Sequence, residues 1–183
     1  LEQDRKKWNE KYAVGQYPSA PSAIVKDFYS TGPVGRALDI AAGKGRNSLF
    51  LAERGFQVEA LDISERALLG LETYRNVTPR RVDFDDFDIP ENQYSLVLNV
   101  RFLHRRLFPQ IMESLVPGGV LIFETYLMDE DAARDHEHRR EHMLRPNELL
   151  RAFLPLRIIY YRETLSGNGE EDRAIASLVA IKK

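Results

Sequence analysis

From about residue 34 onward, short β-branched and aliphatic runs alternate with stretches whose apolar positions recur every three or four residues. That alternation predicts strands separated by helices, hence a mostly parallel sheet covered on both faces. Strands are predicted at Ala37 to Ile40, Gln57 to Leu61, around Val82, Tyr94 to Val100, Val120 to Thr125, Leu156 to Tyr161 and Ala174 to Ile181. Helices are predicted at Asn47 to Arg54, Glu65 to Tyr74, Arg105 to Leu115 and Pro146 to Phe153. In the third, Leu107, Ile111 and Leu115 make one apolar face, and Pro146 suits a first helical position.

The last two strands flank Ser166, Gly167, Asn168 and Gly169, a link too short for a crossover helix, so this pair is expected to be antiparallel. The expected fold is α/β: a doubly wound, seven-stranded, mostly parallel sheet with a C-terminal antiparallel hairpin. The strand around Val82 carries much charge and belongs at a sheet edge. Two segments stand outside the core. Residues 1–30 hold a charged helical stretch with Trp8 and Tyr12 four apart, then a second short helix ending near Tyr29. Residues 126–145 mix Asp129, Glu130, Asp131, Asp135, Glu137 and Glu141 with Arg134, Arg139, Arg140 and Arg145, and follow a strand end where α/β folds carry ligand-covering insertions.

The 183 residues fit one domain spanning 1–183, and 43% hydrophobic against 30% charged residues excludes wholesale disorder. A net charge of −2 provides no strong field for a nucleic-acid backbone. The absence of cysteine excludes disulfides, thiolate zinc sites and a cysteine nucleophile, and favours a cytoplasmic setting. No apolar run approaches the ~18 residues of a membrane span.

The first predicted strand runs through Asp39, Ile40, Ala41, Ala42, Gly43, Lys44 and Gly45 straight into a helix. Small residues there let a ligand approach the backbone. A dinucleotide fingerprint would want a third glycine where Ser48 stands. Asp62 ends the second strand, one helix and one strand after Asp39, where a carboxylate can accept both hydroxyls of a ribose. Ser64, ahead of Glu65, already fills the helix-cap role.

The segment LDIAAGKGRNSLFLAERGFQVEALDIS, the acidic VDFDDFDIP, the turn and strand LVPGGVLIFET and the opening WNEKY together resemble class I methyltransferases that use S-adenosylmethionine. Within them the chain is most similar to the small tellurite-resistance-type subgroup. The resemblance covers nearly the whole chain and implies the seven-stranded Rossmann-like methyltransferase fold with its antiparallel last strand. It implies that Asp39, Ala41, Gly43 and Gly45 wrap the methionine end of the cofactor, with Asp39 near the ammonium and the loop amides near the carboxylate. By the same resemblance Asp62 takes the ribose hydroxyls, Ile63 lies on the adenine face, Asp83 accepts from the adenine amino group and the Phe84 backbone donates to the ring. Asn99 completes the cofactor set, the N-terminal helices form a lid, and Tyr12 reaches the cofactor carboxylate. Ala41, where many members have glycine, is expected to avoid positive φ. Asp85, Asp86 and Asp88 read as a solvated loop.

The fourth strand leads into Asn99, Val100, Arg101, Phe102, Leu103, His104, Arg105 and Arg106, where this architecture brings in the methyl acceptor. DNA amino-methylating enzymes usually carry Asn or Asp, then Pro, Pro and an aromatic residue here, so a small-molecule acceptor is expected and DNA is not. Arg105 and Arg106 open a predicted helix, where the macrodipole disfavours cations, so something must compensate. Surface acids are one answer; the other is an anionic substrate held by Arg101 and Arg105. His104 is the candidate base. His138 and His142 share a helical spacing but lie among mixed charges, and no metal is expected. A nicotinamide-dependent oxidoreductase and a non-catalytic S-adenosylmethionine-binding sensor or partner protein remain the alternatives.

Overall fold

The computed structural model describes residues 2–128, 141–165 and 173–183. Two helices, α1 (Glu2–Val14) and α2 (Ala23–Phe28), precede the sheet. Then come β1 (Arg36–Ile40), α3 (Arg46–Ala52), β2 (Gln57–Asp62), α4 (Glu65–Leu68), a 3-10 turn (Leu71–Thr73) and β3 (Val77–Arg81). The chain continues through β4 (Tyr94–Val100), α5 (Leu107–Ser114), β5 (Leu115–Tyr126), α6 (Glu148–Ala152), β6 (Arg157–Thr164) and β7 (Ile175–Ile181). The seven strands lie in the order β3-β2-β1-β4-β5-β7-β6. Pairs from β3 across to β5 are parallel, whereas β7 is antiparallel to both β5 and β6. The doubly wound sheet with a closing antiparallel pair is therefore as the sequence predicts; the hairpin link at residues 166–172 lies outside the described residues.

Alternation along the central strands sends side chains to two cores. Leu38, Ile40, Val97, Leu121 and Phe123 pack under α5 and α6 with Leu107, Ile111, Leu149 and Phe153. Ala37, Leu96, Leu98, Val120 and Ile122 face the other way, against Ile24 and Val25 of α2 and Leu51 of α3. β4 is buried on both faces along its whole length, as a central parallel strand should be.

Several boundaries depart from expectation for local reasons. The edge strand lies just before Val82, which is itself buried in the core. Pro79 sits inside it without cost: the Val82 N–H donates to Asp62 O, so by alternation the Pro79 nitrogen faces outward, where no strand needs a donor. The helix expected from Glu65 to Tyr74 stops after one turn because Gly70 takes φ +87° and restarts the chain as the 3-10 turn. Pro146 is not the first residue of α6; Asn147, at φ +59°, caps a helix that begins at Glu148. Leu115 already belongs to β5, and its side chain still completes the apolar face of Leu107 and Ile111.

Candidate functional site

The strand order reverses between β1 and β4, and open α/β sheets bind ligands in the crevice at the carboxyl ends on either side of such a switch. There the chain gathers its buried acids. Asp39 is 2% exposed, and its Oδ2 accepts from Ser48 Oγ at 2.6 Å. Burial pushes the Asp39 carboxyl up to about 6, against the Ser48 hydrogen bond and with help from the nearby charge of Asp62. Asp62 is 5% exposed; its Oδ2 accepts from the Gly43 N–H at 2.8 Å and its Oδ1 from the Ser64 N–H at 2.9 Å. Burial raises this carboxyl too, opposed by those amides. Two carboxylates with little water around them favour a partner that brings positive charge or hydroxyl donors.

The glycine loop reaches this geometry through left-handed backbone. Gly43 has φ +58°, and a Cβ there would come 2.7 Å from Tyr12 Oη; at Gly45, φ +74°, it would strike the Leu71 side chain. Ala41 also takes φ +54°, contrary to the expectation that alanine would avoid it. The loop must turn sharply enough for Ala42 N–H to reach Leu61 O and Gly43 N–H to reach Asp62, and alanine bears the strain. The amides of Ala42, Gly43 and Gly45 are thus engaged inside the protein, Gly45 N–H donating to Ala42 O. That differs from the expectation of loop amides turned toward a ligand carboxylate.

Helix α1 lies over this loop although none of its residues is buried. Arg5 forms a two-pronged ion pair with Glu65, Nη2 to Oε1 at 2.7 Å and Nε to Oε2 at 3.0 Å, which holds the Glu65 carboxyl down to about 2. Asn9 Oδ1 accepts from Ser64 Oγ at 2.6 Å, while that same hydroxyl caps α4 by accepting from Ala67 N–H. One turn later Tyr12 lies against Gly43 and packs on Tyr17 with ring centroids 4.5 Å apart. Burial, and next the charge of Asp62, raises the Tyr12 phenol above its ordinary value, so it stays a proton donor. A cavity of about 530 Å³ opens on the flank of the loop, with Tyr12, Lys44, Leu49, Arg66 and Tyr74 among its walls.

Because Val82 N–H bonds Asp62 O, the segment after β3 lies beside Asp62 and the half-buried Ile63. Asp83 follows, accepting the Asp85 N–H at 3.1 Å, and Phe84 packs between Phe87 and Phe102. The next acids, Asp85, Asp86 and Asp88, are all exposed, as a solvated loop would be, and two of them also have partners: Asp85 Oδ1 sits 2.9 Å from His104 Nε2, and Asp88 Oδ1 pairs with Arg106 Nη2 at 2.5 Å.

After β4, Asn99 is 1% exposed and its Nδ2 donates to Phe102 O at 2.7 Å, closing a turn in which Arg101 takes φ +62°. Arg101 N–H donates to Glu124 O, and its Nη1 lies 3.3 Å from Glu124 Oε1. Arg105 turns away from Arg101. Its guanidinium grips Glu148 (Nε to Oε1, 2.5 Å) and the carbonyls of Glu141 and Met143, fastening the chain ahead of α6. That answers the helix-start problem by pairing with acids: Glu148 for Arg105 and Asp88 for Arg106. His142 pairs with Glu141 on the surface, His138 lies outside the described residues, and among the described residues no group of three metal-ligating side chains gathers.

Residues 37–119 match the family model of the methyltransferase domain. Three solved structures share the fold. A geranyl diphosphate C-methyltransferase from Streptomyces coelicolor A3(2), bound to Mg2+, geranyl diphosphate and S-adenosyl-L-homocysteine, superposes with TM-score 0.73 at 14% identity over 100% of this chain and 98% of its own. TehB from Haemophilus influenzae gives 0.70 at 20% identity over 98% and 67%. An S-adenosylmethionine-dependent methyltransferase from Mesorhizobium loti gives 0.69 at 18% over 87% and 96%. No curated protein sequence matches the chain. The chain is thus similar to methyltransferase domains over residues 37–119. Its fold is the Rossmann-like one of enzymes whose cofactor is S-adenosylmethionine, and the matched span contains Asp39, the glycine loop, Asp62 and the loop after β4.

Within the matched span and its flanks, the structure brings Tyr12, Asp39, Ala41, Gly43, Gly45, Asp62, Ile63 and Asp83 to one end of β1, β2 and β3. Sequence reasoning missed Ser48 as the partner of Asp39, although its place as the absent third glycine marked it. It also missed Arg5, Asn9 and Glu65, whose meeting across more than fifty positions leaves no local signal.

Proposed function

We propose that this chain transfers the methyl group of S-adenosylmethionine to a small acceptor bearing negative charge. The observation that carries the reading is the pair of buried carboxylates, Asp39 and Asp62, beneath Tyr12 at the switch point. They fit the cofactor's charge pattern: Asp39 takes the ammonium and Asp62 the ribose hydroxyls. Ile63 lies on the adenine, Asp83 accepts its amino group and the Phe84 N–H meets the ring. Gly43, Gly45 and Ala41 leave room for the methionine chain, Asn99 forms the floor toward the acceptor, and Tyr12 donates to the cofactor carboxylate. Residues 1–30 act as the lid of a one-domain protein, which we place in the cytoplasm; of the expected acceptor-side insertion at 126–145, residues 129–140 lie outside the described residues.

S-adenosylmethionine supplies a methyl group on a sulfonium, open to in-line displacement by an acceptor lone pair. The protein's share of that chemistry is chiefly alignment, which is worth many orders of magnitude in rate without any proton transfer. Arg101 draws in the acceptor, and His104, its Nε2 steered by Asp85, takes the acceptor's proton where there is one. Arg105 serves the site by fixing the segment before α6.

Thermal denaturation with S-adenosylhomocysteine, NAD, NADP and no ligand tests the cofactor. At a hundred times its dissociation constant, S-adenosylhomocysteine stabilises by roughly 2.7 kcal/mol, and the nicotinamide cofactors do nothing. A larger shift with NAD would return the oxidoreductase alternative. Release of S-adenosylhomocysteine from S-adenosylmethionine in the presence of acidic acceptors separates an enzyme from a sensor.

A further inference from the structure

The cavity on the flank of the glycine loop stands apart from the acids of the switch point. Its volume of about 530 Å³ falls inside the range of roughly 300 to 1,000 Å³ that small-molecule sites span. It opens where α4 stops short: Gly70, at φ +87°, has nothing within 4 Å of where a Cβ would stand, so its backbone faces open space. None of Asp39, Asp62, Ile63, Asp83 and Asn99 is a wall of it, and Tyr12 is the one wall residue also given to the cofactor. We propose that this cavity is a second ligand site, for a small organic oxyanion whose acid group is held by Lys44 and Arg66 and whose apolar body rests on Leu49, Ala67 and Leu71. The site goes beyond the methyltransferase reading and does not depend on it.

Its shape and apolar surface support this first. The floor is made of core: Ala67 and Leu71 are buried, and the Leu71 side chain lies where a Cβ on Gly45 would strike, so the floor is packed against the loop. The rim is the reverse. Leu69 stands 71% exposed and Tyr74 51% exposed, two large apolar side chains left in water around one cavity. A ligand with an apolar body would cover part of both, and the rings of Tyr12 and Tyr74 are flat neighbours for an aromatic one.

The polar groups name the other half of the ligand. The walls carry two cations, Lys44 and Arg66, and no carboxylate, and no wall residue adjoins a segment outside the described residues. Among the described residues neither cation forms an ion pair. The acid next to Arg66 in sequence, Glu65, is already taken by the two-pronged grip of Arg5, and Lys44 Nζ stands 5.5 Å from the Tyr17 ring. A guanidinium fork and an ammonium above an apolar floor suit an oxyanion, the fork by paired hydrogen bonds and the ammonium as a point charge.

The test is calorimetric titration of the protein with phenyl phosphate, with inorganic phosphate and with benzyl alcohol, which separate the whole ligand from its charge and from its ring. Phenyl phosphate should bind at least about ten-fold more tightly than either, the apolar floor supplying the one difference and the cations the other. Arg66→Ala should weaken phenyl phosphate about ten-fold and Lys44→Ala about three-fold; both positions are exposed, so the fold is kept. Arg75→Ala removes the same charge one position beyond the last wall residue, Tyr74, and should change nothing. Saturating S-adenosylhomocysteine should leave phenyl phosphate bound, because the acids given to the cofactor do not line the cavity. Inorganic phosphate or benzyl alcohol binding as tightly as phenyl phosphate, undiminished binding by Arg66→Ala, or loss of phenyl phosphate once S-adenosylhomocysteine is present overturns the second site. Failure of the wild type to bind S-adenosylhomocysteine strikes instead the cofactor reading and leaves this site standing.

Discussion

Glycines aside, left-handed backbone at the amino ends of the strands falls to Asn76 and Asn92; at the carboxyl ends it falls to Ala41 and Arg101, with Asn147 ahead of α6. Asparagine tolerates that conformation, whereas alanine and arginine are strained by it. Charge follows the same division. At the amino ends Arg36 meets Glu59 and Gln93, Glu59 accepts the Tyr94 hydroxyl at 2.6 Å, and Lys182 Nζ donates to Asn92 Oδ1 and to the carbonyls of Glu113 and Leu115. At the carboxyl ends two acids, Asp39 and Asp62, are buried, and the charge of Asp62 helps raise the proton affinity of Asp39. One end is arranged for stability, and the other holds strain and like charge that a ligand would relieve.

The sharpest way to break this comparison is to exchange the acids of a single strand. Asp62→Asn should weaken S-adenosylhomocysteine binding by about 3 kcal/mol, since two hydrogen bonds to a charged acceptor are weakened. Glu59→Gln, at the other end of β2, should leave that affinity unchanged. Equal effects by calorimetry would remove the distinction between the ends.

Next in size is the pH response of Asp39. Its carboxyl is raised from 3.8 to about 6, so the folded state binds the proton more tightly than the unfolded. The resulting stability is fully present below pH 3.8 and is lost as pH rises through 6. Asp39→Asn should therefore gain roughly 2 kcal/mol over wild type at pH 8 and little at pH 4, read from urea unfolding at the two pH values. Binding of S-adenosylhomocysteine by wild type should strengthen across the same interval, because its ammonium needs the carboxylate, and the Asn variant should lose that dependence.

A smaller effect separates the two kinds of left-handed residue. Ala41→Gly removes the strain at the cost of a more flexible unfolded chain and should stabilise by up to about 1 kcal/mol. Asn92→Gly should stay within a few tenths. The smallest effect belongs to the surface latch: Arg5→Ala should leave the melting temperature nearly unchanged while α1 is cleaved faster by trypsin, with S-adenosylhomocysteine restoring part of the protection. Unaltered cleavage would mean that Asn9 and Tyr12 alone hold the helix.

What the sequence made legible follows from how local each signal is. Asp62 could be placed because a strand pattern ends on it, and the antiparallel pair because a four-residue polar link admits no helix. For Arg105 the local argument about helix starts leaves both a surface acid and an anionic substrate open, and the acid that answers it, Glu148, comes from an element 43 positions away. Asp85 and Asp88 are the exposed loop acids their sequence suggests, but their partners, His104 and Arg106, approach them only in the folded chain. Ala41 misled differently. Propensity spoke against positive φ, and the hydrogen bonds of Ala42 and Gly43 overruled it.

The placing of β7 between β5 and β6 also bears on how the molecule assembles in time. Among the described residues β6 pairs with no strand but β7, so it can add to the sheet only after β7 has arrived or together with it. A hairpin forms in microseconds from neighbouring segments, whereas β7 must find β5 across some fifty intervening residues. The economical route is for β6 and β7 to join first and dock as a ready-made pair, the late step of folding. Until then the outer edge of β5, with Val120, Ile122 and Phe123 along it, offers an open ladder to any other chain, so refolding yield should fall as protein concentration rises.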